Sequence, residues 1–291
     1  MQSRASTAEI LKKVRRIEIK SNRITNHLFS GAYHSHFKGR GMAFSEVRAY
    51  AYGDDVRAID WKVTARLREP FIKVFEEERE LTMMIVLDVS GSSAFGWSDG
   101  TKREVAAEVA GVLAFSAIKN NDKVGLLLFS DQVELFLPPA KGKSHILRII
   151  RECIEFEPVG KGTDISGALH YLNAVLKRKA IVFALSDFNA VNYERELAIT
   201  SRRHDFCAIR LYDEYESNPP TLGLLPVRDL ETGETHWMDT GARTFKQWQE
   251  RNQQQLAEHF QGAVRRSGAG SIELSTRDSY IKKLMLYFTK R

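Results

Sequence analysis

Two predicted strands each lead into a carboxylate, and this pair of side chains could hold a divalent metal ion. The apolar run 83–87 continues directly into Asp88, and the apolar run 181–185 continues through Ser186 into Asp187. Such runs are typical of strands that are covered on both faces in a parallel sheet. Open α/β sheets bind ligands at the edge where the carboxyl ends of their strands lie. We therefore expect the two Asp side chains to lie at the same edge.

Three hydroxyl side chains could complete such a site. Ser90 and Ser92 follow Asp88 by two and four residues, so a tight loop could direct both toward one point. Thr163 lies in the glycine-containing loop 160–164, just before a predicted helix. Carboxylate and hydroxyl oxygens are hard donors that suit Mg²⁺ or Mn²⁺. By themselves, however, Asp, Ser and Thr at these positions could equally cap helices or form turns.

The order of these residues resembles the metal-ion-dependent adhesion site of von Willebrand factor A domains, written D-x-S-x-S, then T, then D. The corresponding residues, which form our predicted metal site, are Asp88, Ser90, Ser92, Thr163 and Asp187. The resemblance implies a Mg²⁺ (or Mn²⁺) cofactor whose open coordination position binds an acidic side chain of a protein partner. Two carboxylates would neutralise the ion, so a third one from outside would still be attracted.

Strands and helices alternate along the middle of the chain. The hydrophobic patterns predict helices at 101–121, 144–156, 165–176 and 193–203, and strands at 83–87, 124–129, 133–137, 181–186 and 206–212. Pro138 and Pro139 are expected to end the strand 133–137, and Ser144 is expected to cap the helix that follows. This alternation predicts an α/β fold with a mostly parallel sheet covered by helices on both faces. With the resemblance, it becomes a von Willebrand A-like doubly wound sheet.

Segments of a different character flank this core. Residues 1–80 are predicted to hold a basic helix and a β-rich region of short strands and loops, and residues 81–215 the core itself. Residues 216–291 are predicted to complete the domain with a hairpin, which turns at Glu231-Thr232-Gly233-Glu234, a long helix, a last strand and a last helix.

Composition places the chain among ordinary soluble globular proteins. Of its 291 residues 43% are hydrophobic and 27% are charged. No apolar stretch approaches the roughly 20 residues that span a bilayer, and the first residues lack the apolar core of a signal peptide. Cys153 and Cys207 lie within apolar patterns and are expected to be buried thiols of a reducing compartment. We therefore expect a cytoplasmic protein.

Most of the net charge of +6 lies near the N-terminus. Residues 1–23 contain seven basic and two acidic residues, and Ile10, Val14 and Ile17 recur at helical spacing. One interpretation is a basic surface helix docked on the body of the protein. The other is contact with an acidic partner or with an anionic membrane, which would make the protein peripheral to the inner membrane. No nucleic-acid partner is expected, because no basic stripe is interleaved with aromatic residues.

A longer resemblance covers most of the chain. The stretch GRGMAFSEVRAYAYGDDVRAIDWKVTAR, followed by FIKVFEEERE, resembles the signature of the bacterial domain of unknown function family 58. The segments RDLETGE and SYIKKLMLYFTKR are similar to that family as well. Its members are regarded as carrying a von Willebrand A-like domain and are often encoded beside MoxR-type AAA ATPases. The resemblance therefore implies an adaptor or partner of such an ATPase, and it implies no particular reaction.

The signature also contains candidate partner-binding residues. In a structural interpretation, Asp54 or Asp55 caps a helix that begins near Val56, and Arg57 or Arg66 pairs with a carboxylate. In a functional interpretation, Arg57 and Trp61 anchor a docking surface, since Arg and Trp are enriched at binding hot spots. Both interpretations stay open from the sequence.

Three functions are compatible with these residues. We expect a non-catalytic, metal-dependent protein-binding module. The first alternative is a scaffold that binds through the N-terminal signature region and has a vestigial metal site. The second is a Mg²⁺-dependent phosphohydrolase with Asp88 as nucleophile, which Ser90 disfavours because a general acid is usual at that position. His34 and His36 could share one face of a strand, but no cysteine or acidic cluster lies close by in the sequence to complete a zinc site.

Overall fold

The computed structural model describes residues 7–25, 43–76, 80–96, 100–228, 230 and 233–289. The elements, in chain order, are α1 (Thr7–Ile24), β1 (Ala43–Ala49), a 3-10 helix (Val56–Ala58), α2 (Trp61–Leu67), β2 (Phe71–Glu76), β3 (Thr82–Asp88), a second 3-10 helix (Gly91–Ala94), α3 (Lys102–Lys119), β4 (Lys123–Phe129), β5 (Val133–Ala140), α4 (Lys143–Glu155), α5 (Ile165–Val175), β6 (Ile181–Ser186), α6 (Glu194–Arg203), β7 (Asp205–Tyr212), α7 (Glu214–Ser217), β8 (Leu224–Arg228), β9 (Thr235–Asp239), α8 (Arg243–Ser267), β10 (Gly270–Ser275) and α9 (Tyr280–Thr289).

Within this part of the chain, six strands form one twisted sheet in the order β10-β7-β6-β3-β4-β5. All neighbours are parallel except β4 and β5, which are antiparallel. Strand β3, which ends at Asp88, therefore lies between β6 and β4 in the interior of the sheet. The last strand, β10, returns to this sheet and pairs with β7. The predicted α/β fold class is confirmed.

One predicted strand end was wrong. Strand β5 does not end before Pro138 and Pro139 but continues through them to Ala140, which pairs with Val124 of β4. The reason is the position of β5 at the edge of the sheet. Proline lacks only the N–H group, and an edge strand needs hydrogen bonds on one side alone.

Helices cover both faces of the sheet. On one face α1, α3, α4 and α9 enclose a core with β3, β4, β6 and β7, and on the other face α5, α6 and α8 enclose a second core. Helix α3 is buried on nearly all sides, as expected of a helix in the middle of a protein layer. Its first turn is fixed by a capping box, in which Thr101 and Glu104 bond each other's backbone amides.

The N-terminal helix docks on this body. Ile10, Val14 and Ile17 are buried against α3 and α4, which confirms the helical pattern. Lys13 forms an ion pair with Glu104 of α3 at 2.5 Å, and Lys20 forms one with Glu108. The apolar stripe of α1 is thus used by the core of the protein itself.

The signature region forms a small sheet of its own, in which β1 and β2 are antiparallel. Asp55 accepts a hydrogen bond from the backbone of Arg57 at 2.9 Å and caps the 3-10 helix, as one interpretation expected. Among the described residues of this region, the arginine that pairs with a carboxylate is Arg48, and not Arg57 or Arg66 as expected. Arg48 holds Asp54 through two hydrogen bonds of 2.8 and 2.7 Å.

Helix α4 begins one residue earlier than predicted. Gly142 is its N-cap, so Ser144 lies inside the first turn and the prediction that it caps the helix was wrong. Glycine is acceptable at an N-cap because it readily adopts the non-helical backbone angles of that position. Cys153 and Cys207 are both buried, as expected. Among the described residues, no helix combines the length and the apolar character that are needed to cross a membrane.

Candidate metal centre

Asp88 is held rigidly at the carboxyl end of β3, with 3% of its surface exposed. The backbone N–H of Ser90 donates to Asp88 Oδ1 at 2.9 Å, and the Ser186 hydroxyl donates to Asp88 Oδ2 at 2.6 Å. A carboxylate oxygen can accept more than one such bond, so each retains capacity for a further ligand. The side chain is therefore oriented by its neighbours before anything binds.

The pairing of β3 with β6 brings Asp187 to the same place. The parallel register sets Leu87 opposite Leu185, so that Asp88 and Ser186 are the next residues on their strands, and Asp187 opens the following loop. Its side chain accepts a hydrogen bond from the backbone of Asn189 at 3.2 Å.

The two serines that follow Asp88 lie close together. Ser90 Oγ and Ser92 Oγ are 3.2 Å apart, and the Ser92 hydroxyl also bonds the Asp187 carboxylate. In an octahedral Mg²⁺ site with bonds of about 2.0–2.1 Å, adjacent oxygens are about 2.9 Å apart. The spacing of the serine oxygens is therefore close to that of two neighbouring metal ligands.

The loop that carries Thr163 packs against the serine loop. The backbone N–H of Gly91 donates to Lys161 O at 3.0 Å, and the N–H of Asp164 donates to Ser130 O at 2.7 Å. Thr163 lies between these two anchors, is half-buried and begins the approach to α5. The structure thus brings its loop to the same edge as Asp88 and Asp187.

Gly160 shows how tightly this loop is held. A Cβ atom at this position would lie 1.8 Å from Asp131 Oδ1 and 2.3 Å from Ser130 Oγ, so a larger residue does not fit without movement. The N–H of Gly160 also donates to Glu134 Oε1 at 2.7 Å, and this oxygen accepts a second bond from Ser130. The loop 160–164 is therefore clamped to the end of β4 and the start of β5.

A buried lysine that the sequence analysis missed completes the cluster. Lys102 is 2% exposed, and its Nζ lies 2.9 Å from Asp187 Oδ2 and 2.6 Å from Glu216 Oε1. The sequence held a signal, because Lys102 lies four and seven residues before Ala106 and Val109 on the buried side of α3. A positive charge in the first turn of a helix is unfavourable because of the helix dipole. A lysine at this position therefore indicates a carboxylate partner outside the helix.

Burial and charge shift the pKa values of the cluster in opposite directions. Burial, and then the nearby charge of Asp187, raise the pKa of Asp88. Burial alone would raise the pKa of Asp187 too, but the Lys102 ammonium outweighs it and the pKa is lowered. For Lys102, burial is outweighed by the two carboxylates and the pKa is raised. Burial raises the pKa of Glu216 in spite of the ammonium. Asp88 is thus the carboxylate of the pair that has the less complete charge compensation.

The donor set fits a small, hard cation. A cavity of about 10 Å³ adjoins Asp88, Ser92, Lys102 and Asp187, which is about the space that one water-sized species needs. Its oxygen donors are those that Mg²⁺ and Mn²⁺ prefer. In the part of the chain that the structure describes, no group of three or more His, Cys, Asp or Glu side chains could hold a metal. A site here therefore depends on serine and threonine oxygens besides the two Asp.

The predicted partner-binding residues and the two histidines considered as zinc ligands are not part of this cluster. Arg57 is exposed in its 3-10 helix, and Trp61 is 68% exposed at the start of α2. Tyr52 and Val56 in the same region are exposed as well. His34 and His36 lie outside the described residues. The signature region therefore presents large side chains to solvent, as the docking interpretation expects.

Comparison with solved structures gives fold-level likenesses. The conserved hypothetical protein BatB from Bacteroides thetaiotaomicron is 15% identical, with a TM-score of 0.48, and the match covers 72% of this chain and 98% of that one. The SpRpn10 VWA domain is 13% identical, with a TM-score of 0.40, and the match covers 71% of this chain and 94% of that one.

Sequence comparison is more specific. Uncharacterized protein Rv1480 of Mycobacterium tuberculosis is 30% identical over 198 residues, which are 67% of this chain and 62% of that protein, so the chain spans less than two thirds of this relative. The family model described as "Protein of unknown function DUF58" matches residues 46–258, which is well over half of the chain. The chain belongs to the DUF58 family.

Proposed function

We propose that this chain is a non-catalytic protein-binding module that depends on a divalent metal. Mg²⁺ or Mn²⁺ would be held by Asp88, Ser90, Ser92, Thr163 and Asp187, some of them through water. The observation that carries the proposal is that two carboxylates and two serine hydroxyls meet at the ends of β3 and β6. The two serine oxygens are 3.2 Å apart. When bound, the ion would supply positive charge and a coordination position for an acidic side chain of the partner.

The exposure of the ligands favours one direction of approach. Asp88, Ser90 and Asp187 are buried, whereas Ser92 and Thr163 are half-buried. A carboxylate from a partner would therefore reach the ion over these two hydroxyls. The buried ligands would be left undisturbed, which is consistent with a site that binds a partner without changing the fold.

We further propose a MoxR-type AAA ATPase as the partner. This identification rests on the family, whose members are often encoded beside such ATPases. The chemistry of the site adds one requirement, which is an exposed Asp or Glu on the surface of the ATPase that faces this protein.

Metal-dependent capture tests the proposal. The purified chain is used to capture proteins from native lysate with Mg²⁺ and with a chelator, and bound proteins are identified by mass spectrometry. We expect the ATPase to be captured only with Mg²⁺, and Asp88→Ala to abolish capture while the circular dichroism spectrum is kept. Asp205→Ala is the matched control, because Asp205 is an exposed carboxylate at the first residue of β7, at the opposite end of the sheet from the proposed ligands. Equal capture with and without chelator would show that the mechanism is wrong.

The exposed signature region supports a second candidate, a scaffold whose metal site is vestigial. Trp61 is 68% exposed, and burying such a side chain in an interface would contribute strongly to binding. If this candidate is right, Arg57→Ala and Trp61→Ala weaken capture more than Asp88→Ala does, and the chelator has no effect. The same capture experiment therefore separates the two candidates.

Absence of catalysis is part of the proposal. A phosphohydrolase with Asp88 as nucleophile would need a general acid, and Ser90 stands at the position where that acid is usual. We expect no turnover of a generic phosphoester with Mg²⁺. Turnover that disappears in Asp88→Ala would contradict this expectation.

A further inference from the structure

Lys102 places a positive charge inside the candidate metal centre. We propose that Lys102 is a resident counter-cation that competes with the divalent metal for the Asp187 carboxylate, and that Glu216 retains the ammonium group when the metal is bound. This inference rests on the proposed metal site and concerns the control of its affinity. It assigns Lys102 and Glu216 as positioning residues, since neither is a proposed ligand.

The ammonium group has two acceptors and little access to water. Its Nζ lies 2.9 Å from Asp187 Oδ2 and 2.6 Å from Glu216 Oε1, and the side chain is 2% exposed. The backbone N–H of Lys102 also donates to Phe95 O at 2.9 Å, which fixes the start of α3. Because the charge cannot leave for solvent without moving the helix end, it can only shift between Asp187 and Glu216.

Glu216 is held ready to accept that charge. Its second oxygen, Oε2, accepts a hydrogen bond from the backbone of Asp213 at 3.2 Å, as part of the capping box of α7. Asp213 is itself anchored, since its Oδ2 accepts a bond from the Thr276 hydroxyl at 2.7 Å. The Glu216 carboxylate is therefore fixed by the fold, whether or not Asp187 is occupied by another cation.

The charges of Lys102 and Glu216 should have opposite effects on the affinity of the site for a metal ion. A metal on Asp187 would lie within a few ångströms of the ammonium, and like charges at about 4 Å repel enough, at an effective dielectric constant of about 20, to weaken binding by more than tenfold. Removing the lysine charge should therefore tighten metal binding. Removing the Glu216 charge should loosen it, because the metal would lose a nearby negative charge and Lys102 would turn to Asp187 alone.

A purely structural ion pair predicts something else. In that case both substitutions would disturb the Asp187 side chain, and both would weaken metal binding or leave it unchanged. The opposite signs of the two effects are thus the signature of competition.

The experiment measures the dissociation constant of Mn²⁺ for the full chain by titration with detection by electron paramagnetic resonance. We expect Lys102→Met to bind Mn²⁺ at least tenfold more tightly than the unmodified chain, and Glu216→Gln at least threefold more weakly. Lys102→Gln keeps hydrogen-bonding groups beside both carboxylates and replaces the Met variant if that one does not fold. Lys123→Met is the matched control, since Lys123 is an exposed lysine at the opposite end of β4 and its loss changes the net charge equally.

Each outcome decides between defined alternatives. Equal or weaker Mn²⁺ binding by the neutral Lys102 variants, or tighter binding by Glu216→Gln, overturns the competition. Binding that appears only when Lys102 is neutralised, and is lost again when Asp88→Ala is added, supports it. If neither the unmodified chain nor any Lys102 variant binds Mn²⁺, the proposed metal site fails and the competition fails with it. If the unmodified chain binds and the Lys102 variants bind equally well, only the competition fails.

Discussion

Gly111 lies where α3 crosses the N-terminal helix, and its replacement by alanine tests how closely α1 is docked. A Cβ atom at residue 111 would lie 2.6 Å from Ile17 Cγ2 and 3.2 Å from Ser21 Oγ. Ile17 is buried and branched at Cβ, so its Cγ2 cannot swing aside without a strained rotamer. The added methyl group must therefore push the two helices apart.

The size of the effect follows from two opposing contributions. Alanine in place of glycine inside a helix stabilises by about 1 kcal/mol, while an overpacked core costs about 1–3 kcal/mol. We expect Gly111→Ala to lower the free energy of unfolding by about 1 kcal/mol. Ile17→Ala removes the clashing Cγ2 atom and by itself costs about 2–5 kcal/mol. In that background the shortest contact, with Ile17 Cγ2, is gone and the one with Ser21 Oγ at 3.2 Å remains, so Gly111→Ala should raise the free energy of unfolding by up to about 1 kcal/mol.

The assay is urea unfolding of the single and double variants, followed by far-ultraviolet circular dichroism. The expected result is a change of sign, in which the same substitution destabilises the unmodified chain and stabilises the Ile17→Ala chain. Gly262→Ala is the control, because a Cβ atom there would meet only the end of the Arg266 side chain, at 3.9 Å. Equal effects of Gly111→Ala in both backgrounds would refute the close contact between α1 and α3.

Two further predictions concern the thiols and the basic helix. Burial raises the pKa of Cys153 to about 12, and Cys207 is buried too. Neither thiol should therefore react with an aromatic disulfide reagent until the protein is unfolded. If the folded protein were labelled as fast as an exposed thiol, the buried positions would be contradicted. Lys12, Arg15 and Arg23 are exposed on α1 and should give salt-sensitive binding to anionic lipid vesicles. Replacing all three with Gln should weaken vesicle binding about 100-fold, at about 1 kcal/mol per cation, and equal binding to neutral vesicles would exclude an electrostatic cause.

Much of the fold could be predicted from the sequence because its signals are local. The apolar runs that precede Asp88 and Asp187 are short and uninterrupted, which identifies buried strands and also fixes which residue comes last. The alternation of strands with helices then requires a parallel sheet. The errors at Pro139 and Ser144 have local causes as well, since neither the edge position of β5 nor the glycine N-cap of α4 can be inferred from residue type alone.

The missing members of the site differ in how far they could have been foreseen. Ser186 precedes Asp187 directly, and a parallel β3–β6 register places it beside Asp88, so the register would have identified it as a partner of that carboxylate. Lys102 and Glu216 are different, because they are 114 positions apart and meet only through the docking of α7 against the start of α3. No periodicity encodes such a contact.

Lys102 also changes the charge balance that the five predicted ligands would offer to a metal ion. From the sequence, two carboxylates balance a divalent ion and nothing opposes its binding. In the structure a third carboxylate and an ammonium group share the site, and Asp187 already has a cationic partner at 2.9 Å. Any force that moves α7, and Glu216 with it, therefore acts on the charge that Asp187 can offer to a metal. If the proposed site binds a metal, a partner that contacts α7 would change the metal affinity without touching the ion.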